Sequence, residues 1–484
     1  MNKDILQLRP ARMWHYFYEI TQVPRPSKKE DKIRNYLIQF GAKFNLETIT
    51  DDIGNVLIRK NGTHGMETHK TVVLQSHMDM VCEKNSDIEF DFLTDAIQTR
   101  VDGEWVKANG TTLGADDGIG IAAALAILES NDIAHPPIEA LFTMDEETGL
   151  TGAFGLSTTL LKGNILLNLD SEDEGELFIG CAGGRDTTAE LQTSFEEVKG
   201  KIAVKIEVKG LNGGHSGDDI HKGYGNANKL LNRILWKASQ NFEIDLNYIS
   251  GGNLRNAIAR ESNAIIFIVE SHYAALELLV QEFDAIFKNE YHVTELNLKV
   301  EIQKTEAENK AILAIDFQKL MQATYACPHG VLAWSQDIAN FVETSTNLAA
   351  IRLKGDKILF TTSQRSSVAS ALDDACNMVA ANFKMIDASV KHSDGYPGWA
   401  PNPNSEILEI SKASYIHLFK KEPKVLAIHA GLECGLIGEK YPKMDMVSFG
   451  PTIKGAHSPD ERLLINTAQM FWDHLVDILK RIPQ

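Results

Sequence analysis

The chain has 484 residues, of which 43% are hydrophobic and 24% charged, a composition typical of globular proteins with two or more domains. Asp and Glu outnumber Lys and Arg by 66 to 48, and the net charge of -18 argues against nucleic acid or an anionic membrane as a partner. No apolar run approaches the ~18 residues of a membrane-spanning helix, and the segment MNKDILQLRP lacks the apolar core of a secretory signal. The five cysteines are scattered without a CxxC pair, which fits free thiols in a reducing compartment. We therefore predict a cytoplasmic protein.

Residues 1–186 show the alternation of short apolar strands and helices that is typical of an α/β sheet. A helical pattern from Trp14 to Phe40 is interrupted at VPRPSKKE, where prolines end one helix and Ser27 can cap the next. Apolar segments such as TVVLQS and NILLNLD then alternate with helical stretches such as IGIAAALAILES. In sheets of this kind, ligands gather at the carboxyl ends of the strands.

The pattern changes between residues 187 and 395. Alternating segments such as KIAVKIEVKG and NAIIFIVES are separated by helices, and a similar mix recurs further along, which suggests two similar α+β halves. Pro and Gly then cluster in HSDGYPGWAPNPNSE, and an α/β pattern resumes. We predict an α/β domain made of residues 1–186 and 396–484, with a mixed β-sheet flanked by helices, interrupted by a large α+β domain at 187–395.

His77 and Asp79 stand where an apolar run ends, in the segment VVLQSHMDMVCEKN. Side chains at i and i+2 of an extended segment lie on the same face, so this imidazole and this carboxylate can act together. Four other places carry similar residue types near predicted strand ends or helix starts. They are Asp116 and Asp117 in TTLGADDGIG, Glu146 and Glu147 in FTMDEETG, Asp170 in LLNLDSED, and His457 in KGAHSPDE.

Each of these positions has an ordinary explanation when taken alone, such as a loop histidine, an N-cap aspartate or a solvated acidic pair. Their combination is harder to explain in this way, because four of the five places follow apolar strands whose ends converge at one edge. Two histidines and three carboxylates suit a borderline-soft divalent metal, above all zinc, and a shared carboxylate can hold two ions roughly 3.5 to 4 Å apart. Mg²⁺ and Ca²⁺ avoid imidazole ligands.

The adjacent carboxylates Glu146 and Glu147 suit a division of labour, since one can bind metal while the other accepts a proton from the attacking water. Asp79 is suited to receive the second N–H of His77 and to fix its tautomer.

A rival motif overlaps this region, because residues 118–123 satisfy the dinucleotide-binding pattern GxGxxA. Two observations argue against a dinucleotide site here. The preceding segment TTLGADD does not have the pattern of a buried strand, and the carboxylates of Asp116 and Asp117 would repel the pyrophosphate at the helix N-terminus. We therefore expect these glycines to allow tight backbone packing beside Asp116.

The motifs SHMDMV, GADDGIG, MDEETGL, NLDSED and HSPDE, in that order, resemble those of the dinuclear zinc peptidases of the aminoacylase, carboxypeptidase and carnosinase family. Four longer segments are similar to those of the bacterial aminoacyl-histidine dipeptidase branch of that family, namely GLNGGHSGDDI, GGNLRNAI, IHAGLECG and GPTIKGAHSPDERL. The resemblance covers essentially the whole chain. It implies that residues 1–186 and 396–484 form the catalytic domain, that 187–395 form a lid and dimerisation domain, and that the protein is a homodimer.

The resemblance also implies a role for each site residue. Glu146 would be the general base, and the peptide bond between Asp116 and Asp117 would be cis. The implied ligands of two divalent ions, zinc or alternatively Mn²⁺ or Co²⁺, are His77 and Asp170 for one ion, Glu147 and His457 for the other, and Asp116 for both.

Within the inserted domain, the resemblance implies that His215 helps to polarise the scissile carbonyl and stabilise the oxyanion, in its own chain or in a partner. A guanidinium fork such as that of Arg365 is suited to a terminal carboxylate. The residues implied to contact the substrate are Asn256, Arg365, Gly431 and Glu433.

The implied reaction is hydrolysis of dipeptides, in particular Xaa-His dipeptides such as carnosine. Two alternatives stay open at this point. One is a related hydrolase acting on N-acyl amino acids or tripeptides, and the other is a metal-binding protein without catalytic activity. The preference for a C-terminal histidine follows from the resemblance alone.

Overall fold

The computed structural model describes residues 4–484, which divide into two compact units. The first unit comprises residues up to 180, 401–427 and 432–484, and the second comprises 181–400 and 428–431. Among residues 4–484, no helix has both the length and the apolar character needed to cross a membrane. The catalytic and lid roles assigned to the two predicted domains stay predictions.

Twelve α-helices occur in the described residues, together with two short 3₁₀ helices at Asp4–Gln7 and Glu270–His272. The α-helices are α1 (Ala11–Thr21), α2 (Asp31–Lys43), α3 (Ala115–Glu129), α4 (Glu146–Gly149), α5 (Thr151–Gly155), α6 (Ala227–Asn241), α7 (Tyr273–Glu290), α8 (Ala314–Ala326), α9 (Ala369–Lys384), α10 (Glu406–Phe419), α11 (Glu433–Lys440) and α12 (Ile465–Arg481).

The strands in the same residues are β1 (Glu47–Thr50), β2 (Val56–Lys60), β3 (Val72–His77), β4 (Thr99–Asp102), β5 (Trp105–Ala108), β6 (Ile138–Thr143), β7 (Ile165–Asn168), β8 (Glu176–Cys181), β9 (Gly183–Gln192), β10 (Phe195–Glu197), β11 (Ile202–Lys209), β12 (Ile244–Gly251), β13 (Ser262–Ile268), β14 (Lys299–Thr305), β15 (Lys310–Ile312), β16 (Gly330–Trp334), β17 (Val342–Lys354), β18 (Lys357–Ser366), β19 (Ser389–His392), β20 (Lys424–Ile428), β21 (Asp445–Ser448), β22 (Ile453–Lys454) and β23 (Arg462–Leu464).

The first unit is built on an eight-stranded mixed sheet with the strand order β1-β2-β6-β3-β7-β21-β8-β20. Its central strands β6, β3, β7 and β21 run parallel. Strands β3, β6 and β7 are buried along their whole length, which is why they read as continuous apolar runs in the sequence. Because these strands are parallel, their carboxyl ends meet at one edge, and the segments that follow them converge there.

Helix α3 is buried on almost every side, as expected for a helix without a polar face. It begins at Ala115, but Asp116 and Asp117 have non-helical backbone angles, and the bond between them is cis. The glycines that follow allow close packing, since a Cβ on Gly118 would lie 2.8 Å from the Arg25 guanidinium and a Cβ on Gly120 would lie 2.8 Å from a hydroxyl. The glycines of the GxGxxA pattern are therefore needed for the close packing of α3 against its neighbours.

The second unit contains a nine-stranded sheet with the order β14-β11-β13-β12-β17-β18-β9-β19, with β16 paired to β17. Every pair in it is antiparallel. One half follows the chain as β11-α6-β12-β13-α7-β14, and the other as β9-α8-β17-β18-α9-β19. Each half is a β-α-β-β-α-β unit, and the two meet where β12 pairs with β17. The two similar halves suggested by the sequence are therefore present.

Candidate metal centre

Five chain segments bring histidine and carboxylate side chains to the carboxyl edge of the parallel strands in the first unit. His77 is the last residue of β3, and Asp170 lies two residues beyond the end of β7. Glu146 and Glu147 open helix α4, which follows β6. Asp116 lies at the start of α3, and His457 lies in the loop between β22 and β23.

Asp116 is the centre of this arrangement because its two carboxylate oxygens face different histidines. Its Oδ1 lies 2.9 Å from Nε2 of His77, and its Oδ2 lies 3.1 Å from Nε2 of His457. On the first side, His77 Nε2 is also 3.3 Å from Oδ1 of Asp170. On the second side, His457 Nε2 is 3.0 Å from Oε2 of Glu147. The two groups of side chains thus share one carboxylate.

The donor atoms fit divalent metal ions. His77, Asp116 and Asp170 each offer one ligand atom within 4.8 Å of the others, and so do Asp116, Glu147 and His457. Oε1 of Glu147 is buried and has no hydrogen-bond partner among the described residues. An imidazole and two carboxylates on each side form a donor set that suits zinc and related ions.

The charges in this cluster perturb the histidines and carboxylates. Burial lowers the pKa of His77, but the Asp170 and Asp116 carboxylates outweigh burial and raise that pKa well above its ordinary value. Hydrogen bonds to Asp116 and Glu147 raise the pKa of His457 to about 11. Burial raises the pKa of Asp170 to about 7. All three shifts show that the cluster favours additional positive charge.

Asp79 contacts three of the predicted site residues. Its Oδ1 lies 3.3 Å from Nδ1 of His77, and its carboxylate accepts the backbone N–H groups of Glu146 at 3.0 Å and Glu147 at 3.2 Å. Ser27 Oγ donates to the same carboxylate at 2.7 Å. Burial opposes ionisation of Asp79, but these hydrogen bonds outweigh it and lower its pKa to about 2. Asp79 therefore fixes both the histidine of β3 and the acidic pair of α4.

Glu146 lies next to the cluster, with a carboxylate oxygen within 4.8 Å of ligand atoms of His77 and Glu147. Burial raises the pKa of Glu146 well above its ordinary value, and nearby carboxylates add to this effect. A partly buried carboxylate with a raised pKa is suited to accept and donate protons.

Glu433, predicted to contact substrate, is buried with no exposed surface. Its Oε2 accepts hydrogen bonds from Gln75 and from the Thr143 hydroxyl, both at 2.6 Å. Burial raises its pKa to about 8. The carboxylate thus lies under the edge of the sheet, and its predicted role toward substrate stays a prediction.

The other predicted substrate residues lie together in the second unit. Arg365 is 7% exposed, and its Nη2 lies 3.5 Å from Nε2 of His215. Asn256 accepts the backbone N–H of Ser216 through its carbonyl at 2.8 Å, which places it beside His215. A cleft of about 410 Å³, lined by residues of this unit, contains both Asn256 and Arg365.

Tyr396 joins this group, although nothing in the sequence pattern pointed to it beyond a cluster of Pro and Gly. Arg365 Nη1 donates to the Tyr396 hydroxyl at 2.9 Å. A Cβ on Gly431 would lie 2.7 Å from the Tyr396 ring, so glycine is needed there. The Nε of Arg365 is buried without a hydrogen-bond partner among residues 4–484, which leaves a donor for a ligand.

Three residues near the metal centre were also missed by the sequence patterns. Glu172 lies two residues beyond Asp170, and burial raises its pKa to about 8. Arg25 and Glu461 are each 2% exposed, and both make several hydrogen bonds to the backbone around the centre. Arg25 lies in VPRPSKKE, which had been interpreted only as a break between helices, and Glu461 follows His457 within the motif HSPDE.

Comparisons with known proteins show which family the chain belongs to. The model of "Peptidase family M20/M25/M40" matches residues 73–481. The cytosol non-specific dipeptidase of Escherichia coli (strain K12) is 42% identical over 481 residues, which cover 99% of both chains. The crystal structure of aminoacylhistidine dipeptidase from Vibrio alginolyticus has a TM-score of 0.94 at 43% identity, covering 99% of this chain and 98% of that one. A tripeptidase from Staphylococcus aureus shares the fold, with a TM-score of 0.57 at 16% identity over 98% of this chain and 99% of its own.

The fold and the candidate centre are those of a metal-dependent peptide hydrolase, with two groups of candidate ligands around a shared carboxylate. More specifically, the chain belongs to peptidase family M20/M25/M40. The family resemblance inferred from the five motifs and the predicted α/β fold class with its α+β insertion are therefore confirmed.

Proposed function

We propose that this chain is a dipeptidase that uses two divalent metal ions and accepts Xaa-His dipeptides among its substrates. The observation that carries the proposal is the carboxylate of Asp116, whose two oxygens face His77 at 2.9 Å and His457 at 3.1 Å. His77 and Asp170 would hold one ion, Glu147 and His457 the other, and Asp116 would serve both. Bound ions of this kind act as Lewis acids that polarise the scissile carbonyl and lower the pKa of water.

Glu146 acts as the general base in this proposal. It takes a proton from the attacking water as the new carbon–oxygen bond forms, and it delivers that proton to the leaving amine as the carbon–nitrogen bond breaks. Asp79 holds the backbone N–H groups of Glu146 and Glu147 at 3.0 and 3.2 Å, so it fixes the position of the base.

The second unit supplies the groups that bind the substrate ends. His215 donates a hydrogen bond to the oxyanion that develops on the scissile carbonyl. The Arg365 fork binds the terminal carboxylate, in keeping with the unpartnered Nε and the contact of Nη1 with Tyr396 at 2.9 Å. Asn256 and Gly431 contact the substrate backbone in the same region. The unit itself acts as a lid that excludes bulk water.

The two similar relatives indicate how broad the specificity is. The Escherichia coli protein is named a non-specific dipeptidase, and the Vibrio alginolyticus protein an aminoacylhistidine dipeptidase. We infer that this chain cleaves a range of dipeptides, including carnosine and other dipeptides with a C-terminal histidine.

Zinc is the proposed physiological ion, because imidazole and carboxylate ligands suit it, and Mn²⁺ or Co²⁺ can take its place. We also propose a homodimer in the cytoplasm. The cytosolic location in the name of the Escherichia coli relative and the five scattered cysteines support the cytoplasm. The homodimer follows from the family resemblance.

Two variants separate the roles of the carboxylates. Glu146→Gln keeps the shape of the side chain but cannot accept the proton, so kcat should fall by about 10² to 10⁴ while two ions per chain are retained. Asp116→Asn should lose metal as well as activity, because one oxygen of the shared carboxylate is replaced. Elemental analysis with a dipeptide assay measures both. Normal turnover by Glu146→Gln would show that the base is another residue.

A substrate panel tests the specificity. We expect zinc-loaded protein to cleave carnosine and other Xaa-His dipeptides, to cleave some dipeptides without histidine, and to leave N-acetyl amino acids and tripeptides largely intact. If N-acetyl amino acids were the preferred substrates, the dipeptidase assignment would be wrong. If no compound were cleaved while two ions were bound, the protein would be a metal-binding protein without this activity.

A further inference from the structure

The carboxylate of Glu461 accepts hydrogen bonds from four consecutive backbone N–H groups in the segment that leads to Asp116. Oε2 accepts from Leu113 at 2.7 Å and from Gly114 at 2.9 Å. Oε1 accepts from Ala115 at 2.7 Å and from Asp116 at 3.3 Å. Each oxygen therefore accepts from two donors, and all four backbone N–H groups of residues 113–116 are bound by this one carboxylate.

Arg25 holds the carbonyl side of the same segment. Its Nη2 donates to the carbonyl of Gly114 at 2.5 Å. Gly114 is thus bound from both sides, through its N–H by Glu461 and through its carbonyl by Arg25. It has φ +70°, and a Cβ there would lie 2.7 Å from Arg25 Nη2, so no larger residue fits between them.

Each of these two residues also connects the Asp116 segment to a second segment of the metal centre. Nη1 of Arg25 donates to the carbonyl of Met78 at 3.0 Å and to that of Asp79, which directly follow His77. Glu461 lies four residues after His457, within the same loop. Three candidate ligands on three separate segments are therefore connected through two buried side chains.

We propose that Arg25 and Glu461 form a buried brace that sets the position of the Asp116 carboxylate and so determines how tightly the chain holds its metal ions. The inference rests on the proposed function. Neither residue contacts the reacting atoms in this proposal, and both act as positioning residues through the backbone of residues 113–116. A shared ligand serves both ions, so a small displacement of Asp116 weakens both at once.

The Glu461→Gln variant changes the brace with little change in volume. A carboxylate offers acceptor sites on both oxygens, whereas the amide nitrogen of glutamine is a donor. In the variant, two of the four backbone N–H groups would face an N–H₂ group and lose their acceptor. The segment would have to move, and Asp116 moves with it.

Glu139 provides the matched control, because it is an equally buried carboxylate of the first unit that binds backbone amides. It is 1% exposed, and its Oε2 accepts from the N–H groups of Lys162 at 2.8 Å and Gly163 at 2.9 Å. It lies at the start of β6, whereas Glu146 follows the other end of that strand. Glu139→Gln should therefore lower stability without changing the metal centre.

The experiment titrates metal-free protein with Co²⁺ and follows the visible absorption of the bound ion, with the thermal midpoint of the metal-free protein measured in parallel. We expect Glu461→Gln to bind Co²⁺ about 10- to 100-fold more weakly than the unmodified chain and to change the absorption spectrum. Glu139→Gln should show the original affinity and spectrum, with a similar loss of thermal midpoint. At saturating Co²⁺, Glu461→Gln should lower kcat and leave the KM of a dipeptide within about threefold.

A second pair of variants tests the arginine. Arg25→Lys removes the fork that reaches two segments at once, and we expect a similar loss of Co²⁺ affinity. Arg59 is the control, because its guanidinium likewise connects two separate segments, through the buried carboxylate of Glu139 at 2.8 Å and the backbone carbonyl of Leu160 at 2.7 Å. Arg59→Lys should leave Co²⁺ affinity unchanged.

Two results would overturn the brace. The first is unchanged Co²⁺ affinity in both Glu461→Gln and Arg25→Lys, and the second is an equal loss of affinity in the Glu139→Gln control. Failure of the proposed function would be distinguishable from either result, because the unmodified chain itself would then bind fewer than two ions or cleave no dipeptide.

Discussion

The two units of the chain differ in how many ionisable side chains they bury. The first unit has parallel central strands, and its buried ionisable residues are numerous. They include Arg25, Glu30, His77, Asp79, Asp117, His135, Glu139, Asp145, Glu433, Glu461 and His474. The antiparallel sheet of the second unit is covered by a large apolar core, and its buried ionisable residues include Glu295, Asp316, Arg365 and His429.

The difference follows from strand direction. Parallel strands end at one edge, so residues such as His77 and Asp170 meet even though β3 and β7 lie far apart in sequence. In an antiparallel sheet the strand ends alternate between the two edges, and few polar side chains converge at one place. The comparison teaches that a parallel sheet can concentrate charged side chains at one edge, whereas the antiparallel sheet supports single buried charges such as Arg365, the proposed substrate-binding group.

Metal removal should have the largest effect and should act on the first unit alone. An ion at a free concentration a hundredfold above its dissociation constant stabilises the folded state by about 2.7 kcal/mol. A chelator should therefore abolish dipeptide hydrolysis and increase amide hydrogen exchange in residues 113–117 and 455–461. Exchange in β11 and β13 of the second unit should stay as it was. The Asp116→Asn variant is the control, since chelation should change little in a chain that no longer binds metal.

If chelation increased amide exchange in the second unit as strongly as in the first, the assignment of the metal centre to the first unit alone would be wrong. Mass spectrometry of exchanged peptides resolves the two outcomes.

An Arg365→Lys variant tests whether the second unit does more than support the fold. Lysine cannot reproduce the forked geometry, so the KM for dipeptides should rise about 10- to 100-fold while both metal ions stay bound. Arg233 is a matched control, because its fork binds Glu290 at 2.6 and 2.8 Å on the helical face of the same unit. Arg233→Lys should leave KM unchanged. An unaltered KM in Arg365→Lys would remove this residue from substrate binding.

The prediction with the smallest effect on dipeptide hydrolysis concerns pH and a buried histidine of the first unit. Burial lowers the pKa of His474 from 6.5 to about 4, although its Nε2 contacts the Ser411 carbonyl at 2.9 Å. Between these values the unfolded chain binds a proton that the folded chain does not, so the free energy of unfolding falls as pH falls from 6.5 to 4. The full loss is about 3 kcal/mol. A His474→Gln variant should reduce this pH dependence by about one proton.

His329 gives the same test in the second unit, since burial lowers its pKa to about 4. His474→Gln should flatten the pH dependence of amide exchange in the first unit, and His329→Gln should flatten it in the second. If either variant changed both units equally, the two units would unfold together and the comparison would not extend to stability.

The sequence predicts much of the candidate centre because strand ends can be recognised from apolar runs. His77, Glu146 and Asp170 end or follow the apolar runs of β3, β6 and β7, whose parallel direction brings them to one edge. Asp116 lies at the start of the apolar helix α3, and His457 lies in a loop. The resemblance of the motifs added what spacing could not, namely the prediction that Glu146 rather than Glu147 is the general base. The strand pattern also indicated the two similar halves of the second unit.

Other contacts could not be predicted, because they join residues that carry no local signal. Arg25 binds carbonyl groups 53 and 89 positions along the chain, and Glu461 binds amides more than 340 positions away. A lone arginine between two prolines is usually interpreted as a turn. Tyr396 was missed for the same reason, because its contact with Arg365 depends on the fold of a segment rich in Pro and Gly.

The strand order of the second unit has a consequence for synthesis on the ribosome. Strand β9 pairs with β18 and β19, and the partner of Gln192 is Lys357. Residues 193–356, which include the first half of the unit, are therefore synthesised after β9 and before its partner strands. At about 5 to 20 residues per second, translation leaves β9 unpaired for roughly 10 to 30 s. During this interval its apolar face, which includes Ala189 and Leu191, is exposed in the nascent chain. Because β9 is synthesised long before its partner strands, the nascent chain is prone to aggregate during this interval, and a chaperone that binds the exposed strand would prevent this.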